Sequence, residues 1–335
     1  MRMNAITPPE SALPLQGSDD MAACGDTPLI DSSWLASTAD AETVYIKDEG
    51  RNPTGHVSDR DMSMVAGAAS LLSIGSCALT SPGRSGVAAS AAVGPFDIEL
   101  DVFVPSRAPF PTKAMINVHG GDMNVVGGRY PDARAAAEAA TGWPIDLFQN
   151  PYARAGRAQL YVELLSDRGG TPPDTIVIPT GTGAGITAIG DAAQACYAAG
   201  ICSTVPRIVA AQPAGCAPIV EAFNSNADQV SPIDSPDTIV GELEIPDPSG
   251  GDAALAVLRE TDGEAIAVPD PAGLEAAVGL AQHAGISASV AGGIGAAAAT
   301  DLSVGSPKDD VVVLNPGAGG LDADVLRSHL MSKGI

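Results

Sequence analysis

Lysine is nearly missing from this chain of 335 residues: Lys47, Lys113, Lys308 and Lys333 stand against thirteen arginines and 40 acidic residues. The formal net charge is −23, and no local basic patch interrupts it. Such a surface repels phosphate backbones and anionic lipid, so neither a nucleic acid nor a membrane is expected as a partner. Cysteine is sparse and odd in number: Cys24, Cys77, Cys196, Cys202 and Cys216 form no CxxC pair. The four scattered histidines add no ligand spacing, so free thiols and no metal site are expected. Long charge-free stretches occur only at 63–83 and 276–300. Both are rich in Gly, Ser and Ala, with Pro82 in one and His283 in the other, which reads as buried helix and strand rather than a membrane span. The opening MRMNAITPPESALPLQGSDD holds no apolar run of the signal-peptide kind, and neither end carries a lipidation motif. The expected location is the cytoplasm.

What is present is a globular composition. Hydrophobic residues make up 45% of the chain, too many for a disordered acidic tail, and the length suits about two lobes with a sizeable core. An acidic, lysine-poor surface is the kind found on proteins that work in strong salt. There the Debye length shrinks to about 3 Å at 1 M, so like charges cost little and keep the chain soluble; in dilute buffer the same charges destabilise it.

Short β-branched runs alternate with Ala-rich stretches, the α/β signature of parallel sheets covered by helices. Strands are expected over 43–47, 98–104, 114–118, 175–179, 207–212, 265–269 and 310–314. Helices are expected over 59–76, 133–140, 155–165, 186–199, 217–224 and 274–284. Pro- and Gly-rich segments at 166–173 and 228–249 read as surface loops. The expected division is a smaller lobe, 79–154, inserted into a larger one formed by 1–78 and 155–335.

Four segments could carry chemistry. In DTIVIPTGTGAGITAIGDAA, from Asp174, a buried-type strand enters a loop containing Gly181, Gly183 and Gly185 and then a helix. Glycines there let backbone N–H groups crowd around an anion at a helix N-terminus, although such turns also serve tight packing. For a nicotinamide site, the next strand ends in Gln212 where a ribose-binding acid is expected, and no Lys-Ser or Lys-Thr pair supports a Walker loop. The second segment, VYIKDEGRNPTGHVSDRDM from Val44, runs a strand into a polar loop, where α/β proteins place ligands, and then into a helix start. The third, LTSPGRSGVAAS from Leu79, is a Ser/Gly turn opening an Ala-rich helix, with Arg84 at its tip and backbone donors that suit a carboxylate. The fourth, DVVVLNPGAGGLD from Asp310, is a strand end followed by a Gly loop.

In this order the segments resemble threonine synthase and the related fold type II pyridoxal-phosphate enzymes such as threonine dehydratase. The similarity runs from CGDTPLI at Cys24 to the Gly loop near Gly320. Gly25-Asp26-Thr27-Pro28-Leu29 is similar to the family's G-x-T-P-L opening, and KDEGRNPTG to its loop before the cofactor lysine. FQNPYARAGR is similar to its N-P-Y-R-x-x-G-x segment, PTGTGAGITAI to its phosphate cradle, and RIVAAQPAGCAPIVEAF to the strand and helix after it. The implied architecture is the two-lobed tryptophan synthase beta-like fold, and the implied cofactor is pyridoxal phosphate.

The departures fall on the chemistry. Where the family reads T-G-S-F-K-D-R, with the lysine as Schiff base, this chain has Thr54-Gly55-His56-Val57-Ser58-Asp59-Arg60. Ser58 cannot form the imine, which is the electron sink of such enzymes. The family's S-T-G-N-T turn becomes Ser81-Pro82-Gly83-Arg84-Ser85, so Arg84 replaces the asparagine that meets the pyridine hydroxyl. Asn315 falls loosely in the loop that reaches the pyridine nitrogen. The resemblance therefore implies cofactor or anion contacts from Gly181, Thr182, Gly183, Ala184, Gly185, Arg84 and Asn315. It places Ser81, Gly83 and Ser85 at the substrate turn, and Ser58 and His56 at the catalytic position. The favoured reading is a degenerate paralogue that keeps the cradle for a small phosphorylated or carboxylate ligand, its Schiff-base cofactor lost, with a homodimer as candidate assembly. The alternative is a working lyase without the usual lysine, in which Ser58 or His56 moves protons. A nicotinamide-dependent dehydrogenase remains a third reading on the Gly loop alone.

Overall fold

Two parallel sheets organise the chain. The computed structural model describes residues 23–302 and 309–334; the opening segment and Lys308 lie outside them. The strands are β1 (Leu29–Asp31), β2 (Thr43–Asp48), β3 (Ser76–Thr80), β4 (Glu99–Pro105), β5 (Asp122–Val126), β6 (Trp143–Ile145), β7 (Thr175–Pro179), β8 (Arg207–Pro213), β9 (Glu264–Val268) and β10 (Asp310–Asn315). The helices are α1 (Ser33–Ala39), α2 (Ser58–Leu71), α3 (Arg84–Val93), α4 (Phe110–Val118), α5 (Tyr130–Glu138), α6 (Pro151–Asp167), α7 (Ala184–Ala198), α8 (Pro218–Asn224), α9 (Gly251–Glu260), α10 (Asp270–Gly279), α11 (Val290–Thr300) and α12 (Ala323–Ser332).

The larger sheet has the order β1-β2-β10-β7-β8-β9, parallel except for the antiparallel β1 edge, and the smaller has the order β5-β4-β3-β6, all parallel. Central strands covered on both faces need continuous apolar runs. Val311, Val312, Val313 and Leu314 of β10 and Ile176, Val177 and Ile178 of β7 are all buried accordingly. No helix among the described residues is long and apolar enough to cross a membrane.

Three local readings are corrected. Residues 114–118 belong to helix α4, not to a strand. Pro109 and Pro111 preset its first turn, and Thr112 and Ile116 are its buried positions, four apart on one helical face; the neighbouring strand is β5. The helix expected over 59–76 stops at Leu71, because Ser73 takes a positive φ of 56° and Gly75 follows, freeing Ser76 to begin β3. The segment 228–249 is only partly a surface loop, since Val240, Leu243 and Ile245 are buried.

Helices α2 and α6 meet at a glycine. A Cβ on Gly156 would lie 2.1 Å from the Arg60 carbonyl oxygen and 2.9 Å from the Asp61 Cα. This close approach carries the α6 side chains to the N-terminal turn of α2. Gly156→Ala is expected to force the helices apart at a cost of about 1–3 kcal/mol, read as a lower urea midpoint at constant salt.

Candidate functional site

The C-terminal ends of β7 and β10 open onto a cavity of about 80 Å³ between the two sheets. One wall is the loop after β7. Gly183 there has a φ of +84°, which favours glycine, and a Cβ on it would lie 2.6 Å from the Gly250 carbonyl oxygen. The N–H groups of Gly181, Thr182, Gly183 and Gly185 meet no acceptor among the described residues, whereas that of Ala184 donates to Thr182 Oγ1 at 3.3 Å. The loop and the start of α7 thus present a ring of free donors at the positive end of a helix.

Facing it is the first turn of α2. Ser58, 1% exposed, lies on the cavity wall. Its backbone N–H donates to His56 Nδ1 at 3.2 Å, and His56 Nε2 stands 3.2 Å from Glu242 Oε2. An Nδ1 that accepts a backbone N–H leaves Nε2 as the protonated nitrogen, so the imidazole donates to the carboxylate. Both nitrogens are engaged, and neither bonds the Ser58 hydroxyl.

Arg84 crosses from α3 to the larger sheet. Its Nε lies 3.2 Å from Glu242 Oε2, Nη2 lies 2.9 Å from Asp322 Oδ2, and Nη1 donates to the Ala318 carbonyl at 2.9 Å. Burial pushes the Glu242 carboxyl up, but Arg84, His56 and a hydrogen bond from Ser289 outweigh it and hold the group at about 2. Burial dominates at Asp322 and raises it, against the pull of Arg84.

Other expected residues are placed differently. Asn315 is fully buried and donates to Asp48 Oδ1 at 2.7 Å, off the cavity wall, with its Oδ1 unpartnered. Ser81 Oγ accepts from the N–H groups of Gly83 and Gly86 and pairs with Ser85 Oγ at 2.8 Å, which caps α3. Of Ser81, Gly83 and Ser85, only Ser85 reaches the cavity. The contributors that sequence reasoning does not single out are Glu242, Asp322, Arg157 and Asp61. Arg157, on α6, also lines the cavity and grips Asp61 through Nε (2.8 Å) and Nη2. Its signal lies in FQNPYARAGR, where an arginine follows the close-packing glycine.

No lysine among the described residues lines this cavity. Lys47 is buried, and Nζ gives its three donors to Thr27 O (2.7 Å), Glu163 (2.7 Å) and Asp167 (2.8 Å). Lys113 donates to the Ser106 carbonyl, and Lys333 pairs with Glu275. Among the described residues no cluster of His, Cys, Asp and Glu could hold a metal ion.

The model of the family described as pyridoxal-phosphate dependent enzyme matches residues 21–317. The chain belongs to that family. It is threonine synthase-like: a threonine synthase from Methanosarcina acetivorans is 29% identical over 300 residues, covering 88% of this chain and 74% of the relative. One from Synechocystis is 29% identical over 253 residues, 72% of this chain and 62% of the relative. This chain therefore spans between about three fifths and three quarters of these relatives' length. Among solved structures, maize serine racemase superposes with a TM-score of 0.78 at 20% identity, covering 98% of this chain and 100% of the other. A fungal L-serine ammonia-lyase from Rhizomucor miehei gives 0.78 at 18% identity, covering 92% and 98%. The fold is that of fold type II pyridoxal-phosphate enzymes.

The family's cofactor needs a phosphate cradle and an amino group for its imine. The Gly-loop donors suit a phosphate. For the imine the residues do not fit: among the described residues no lysine lines the cavity, whose wall beyond the cradle is formed by Ser58, His56, Arg84 and Glu242.

Because Glu242 is held below its ordinary carboxylate range, it stabilises the fold fully above about pH 4.5. That stability is lost as pH falls towards about 2. Asp322 shifts the opposite way, so the wild type is best compared with Glu242→Gln. The variant is expected to show a flatter loss of stability between about pH 4.5 and 2, measured by urea unfolding across that range.

Proposed function

We propose that this threonine synthase-like protein binds a small phosphorylated or otherwise anionic ligand at the 181–185 loop and performs no lysine-dependent Schiff-base chemistry. The observation that carries this reading is the pairing of free loop donors with Ser58, rather than an amine, on the opposite wall. A hydroxyl cannot make the imine, and Lys47 is tied by all three of its donors elsewhere. The engagement of both His56 nitrogens argues against His56 as a free proton carrier, and so against a lyase that works without lysine.

The protein's role would then be to sense or hold its ligand. Loss of a positioned acid/base alone costs about 10²–10⁴ in rate, and here the covalent electron sink is missing as well. The test is the absorbance spectrum of the full chain in concentrated potassium chloride with pyridoxal phosphate, followed by borohydride reduction and peptide mass analysis. No imine band and no lysine adduct are expected, together with no threonine or α-ketobutyrate above a buffer blank. A stoichiometric adduct on any lysine, or turnover lost in His56→Ala, would overturn the reading.

A further inference from the structure

We infer that a second cavity, of about 210 Å³, is a binding site for a free α-amino acid with an apolar side chain, its two charges held between Arg107 and Asp237. It lies at the carboxyl ends of β3 and β4, where parallel sheets place ligands: Pro82 follows β3 and Pro105 closes β4. The opposite wall belongs to the 237–244 segment, whose Val240 and Leu243 are buried in the core of the larger sheet. Of its lining residues only Pro82 also lines the Gly-loop cavity, and the inference does not depend on the anion-cradle reading. Two charged side chains on its lining are not committed elsewhere. Arg107, 46% exposed, stands 3.5 Å from Glu244 Oε2, beyond the usual length of a charge-assisted hydrogen bond, while Glu244 already accepts from Arg129 at 2.7 Å. Asp237 is exposed, and its carboxylate pairs with no cation among the described residues. Its backbone is firmly tied: the Asp237 N–H donates to the Gly215 carbonyl at 2.8 Å, and Thr238 Oγ1 and the Ile239 N–H donate to Asp270 at 2.7 and 2.8 Å. A carboxylate on such a turn loses little further freedom when a cation binds. Tyr130 is the independent sign of a ligand. It is 8% exposed, lines the cavity, and its hydroxyl has no hydrogen-bond partner among the described residues.

Charge selects the class of ligand. The carboxylates on the lining, Asp237 and Glu244, are matched in number by Arg107 and Arg129, so a ligand with a net charge would leave one charge unbalanced. A free anion would also approach against the field of a chain with net charge −23. A zwitterion avoids both costs. Its carboxylate takes the planar guanidinium of Arg107, and its ammonium takes Asp237. Around them Pro82, Pro105, Pro109 and Ile239 offer apolar surface to an aliphatic side chain.

The experiment is calorimetric titration of the full chain in concentrated potassium chloride with L-valine, L-leucine and L-methionine. Isocaproate and isoamylamine, which are leucine without its ammonium and without its carboxylate, serve as the singly charged probes. The amino acids are expected to bind, and each singly charged probe to bind about 10–100-fold more weakly. Arg107→Gln and Asp237→Asn are each expected to weaken amino-acid binding by the same factor of about 10–100. Both side chains are exposed, so the urea midpoints are expected to match the wild type, and the loss then cannot be a loss of fold. Isocaproate binding as tight as that of leucine, and undiminished in Asp237→Asn, would make this an anion pocket and overturn the inference. Amino-acid binding that is unchanged in both variants would put the ligand elsewhere and overturn it too. So would the absence of binding by all three amino acids. None of these outcomes touches the reading of the Gly loop, which has its own test.

Discussion

Arg60 is the charge on which the site is hung. It is buried at the start of α2, with Glu49 and Glu163 each taking two of its donor contacts, at 2.6 to 2.9 Å. Glu163 in turn accepts from Lys47 and from the N–H groups of Asp26 and Thr27. Burial pushes Glu163 up, but Arg60 and Lys47 pull its carboxyl far below the ordinary range. Removing one partner from such a cluster leaves an unpaired charge in a low-dielectric interior, which costs more than the intact cluster contributes. The N-terminal segment, the turn after β2, α2 and α6 are thus fixed relative to one another. Ser58 lies two residues before Arg60 and Arg157 six before Glu163, so the same cluster aims both at the cavity.

This arrangement also accounts for the fate of the few lysines. The family resemblance invites a search for a displaced Schiff-base amine, and Lys47 is the buried candidate. Its three donors are needed by the cluster that positions α2, so it is structural. The cavity's positive charge comes instead from arginines, one bound to Asp61 and one spanning the two sheets. Charge is present at the site, but as guanidinium, which binds anions and does not condense with aldehydes.

Much of the fold is legible in the sequence because it rests on local pattern. The runs TIVIP and DVVVLN become central strands since nothing but apolar side chains fits between two helical layers, and the Gly-rich turn after β7 announces its own geometry. AMINV reads as a strand because apolar and β-branched residues dominate it, while the two prolines upstream set a helical turn that overrides this preference. The site is half legible. The cradle and Ser58 are contiguous motifs. Glu242 and Asp61 act through partners distant in sequence, and an acid in a loop looks solvated until a buried arginine is found against it. Arg84 stands out for its charge, but only the fold shows Glu242 and Asp322 already using it.

The central place of β10 governs the order in which the molecule can be assembled. It lies between β2 and β7, and Asn315 meets Asp48 across 267 positions of sequence. Until β10 has been synthesised, β2 and β7 each present an unpaired parallel edge, the kind of surface that templates aggregation. Pairings of such sequence separation also close slowly. A net charge of −23 then serves the nascent chain before it serves the finished protein, because it keeps copies with open sheets apart during the interval before β10 arrives.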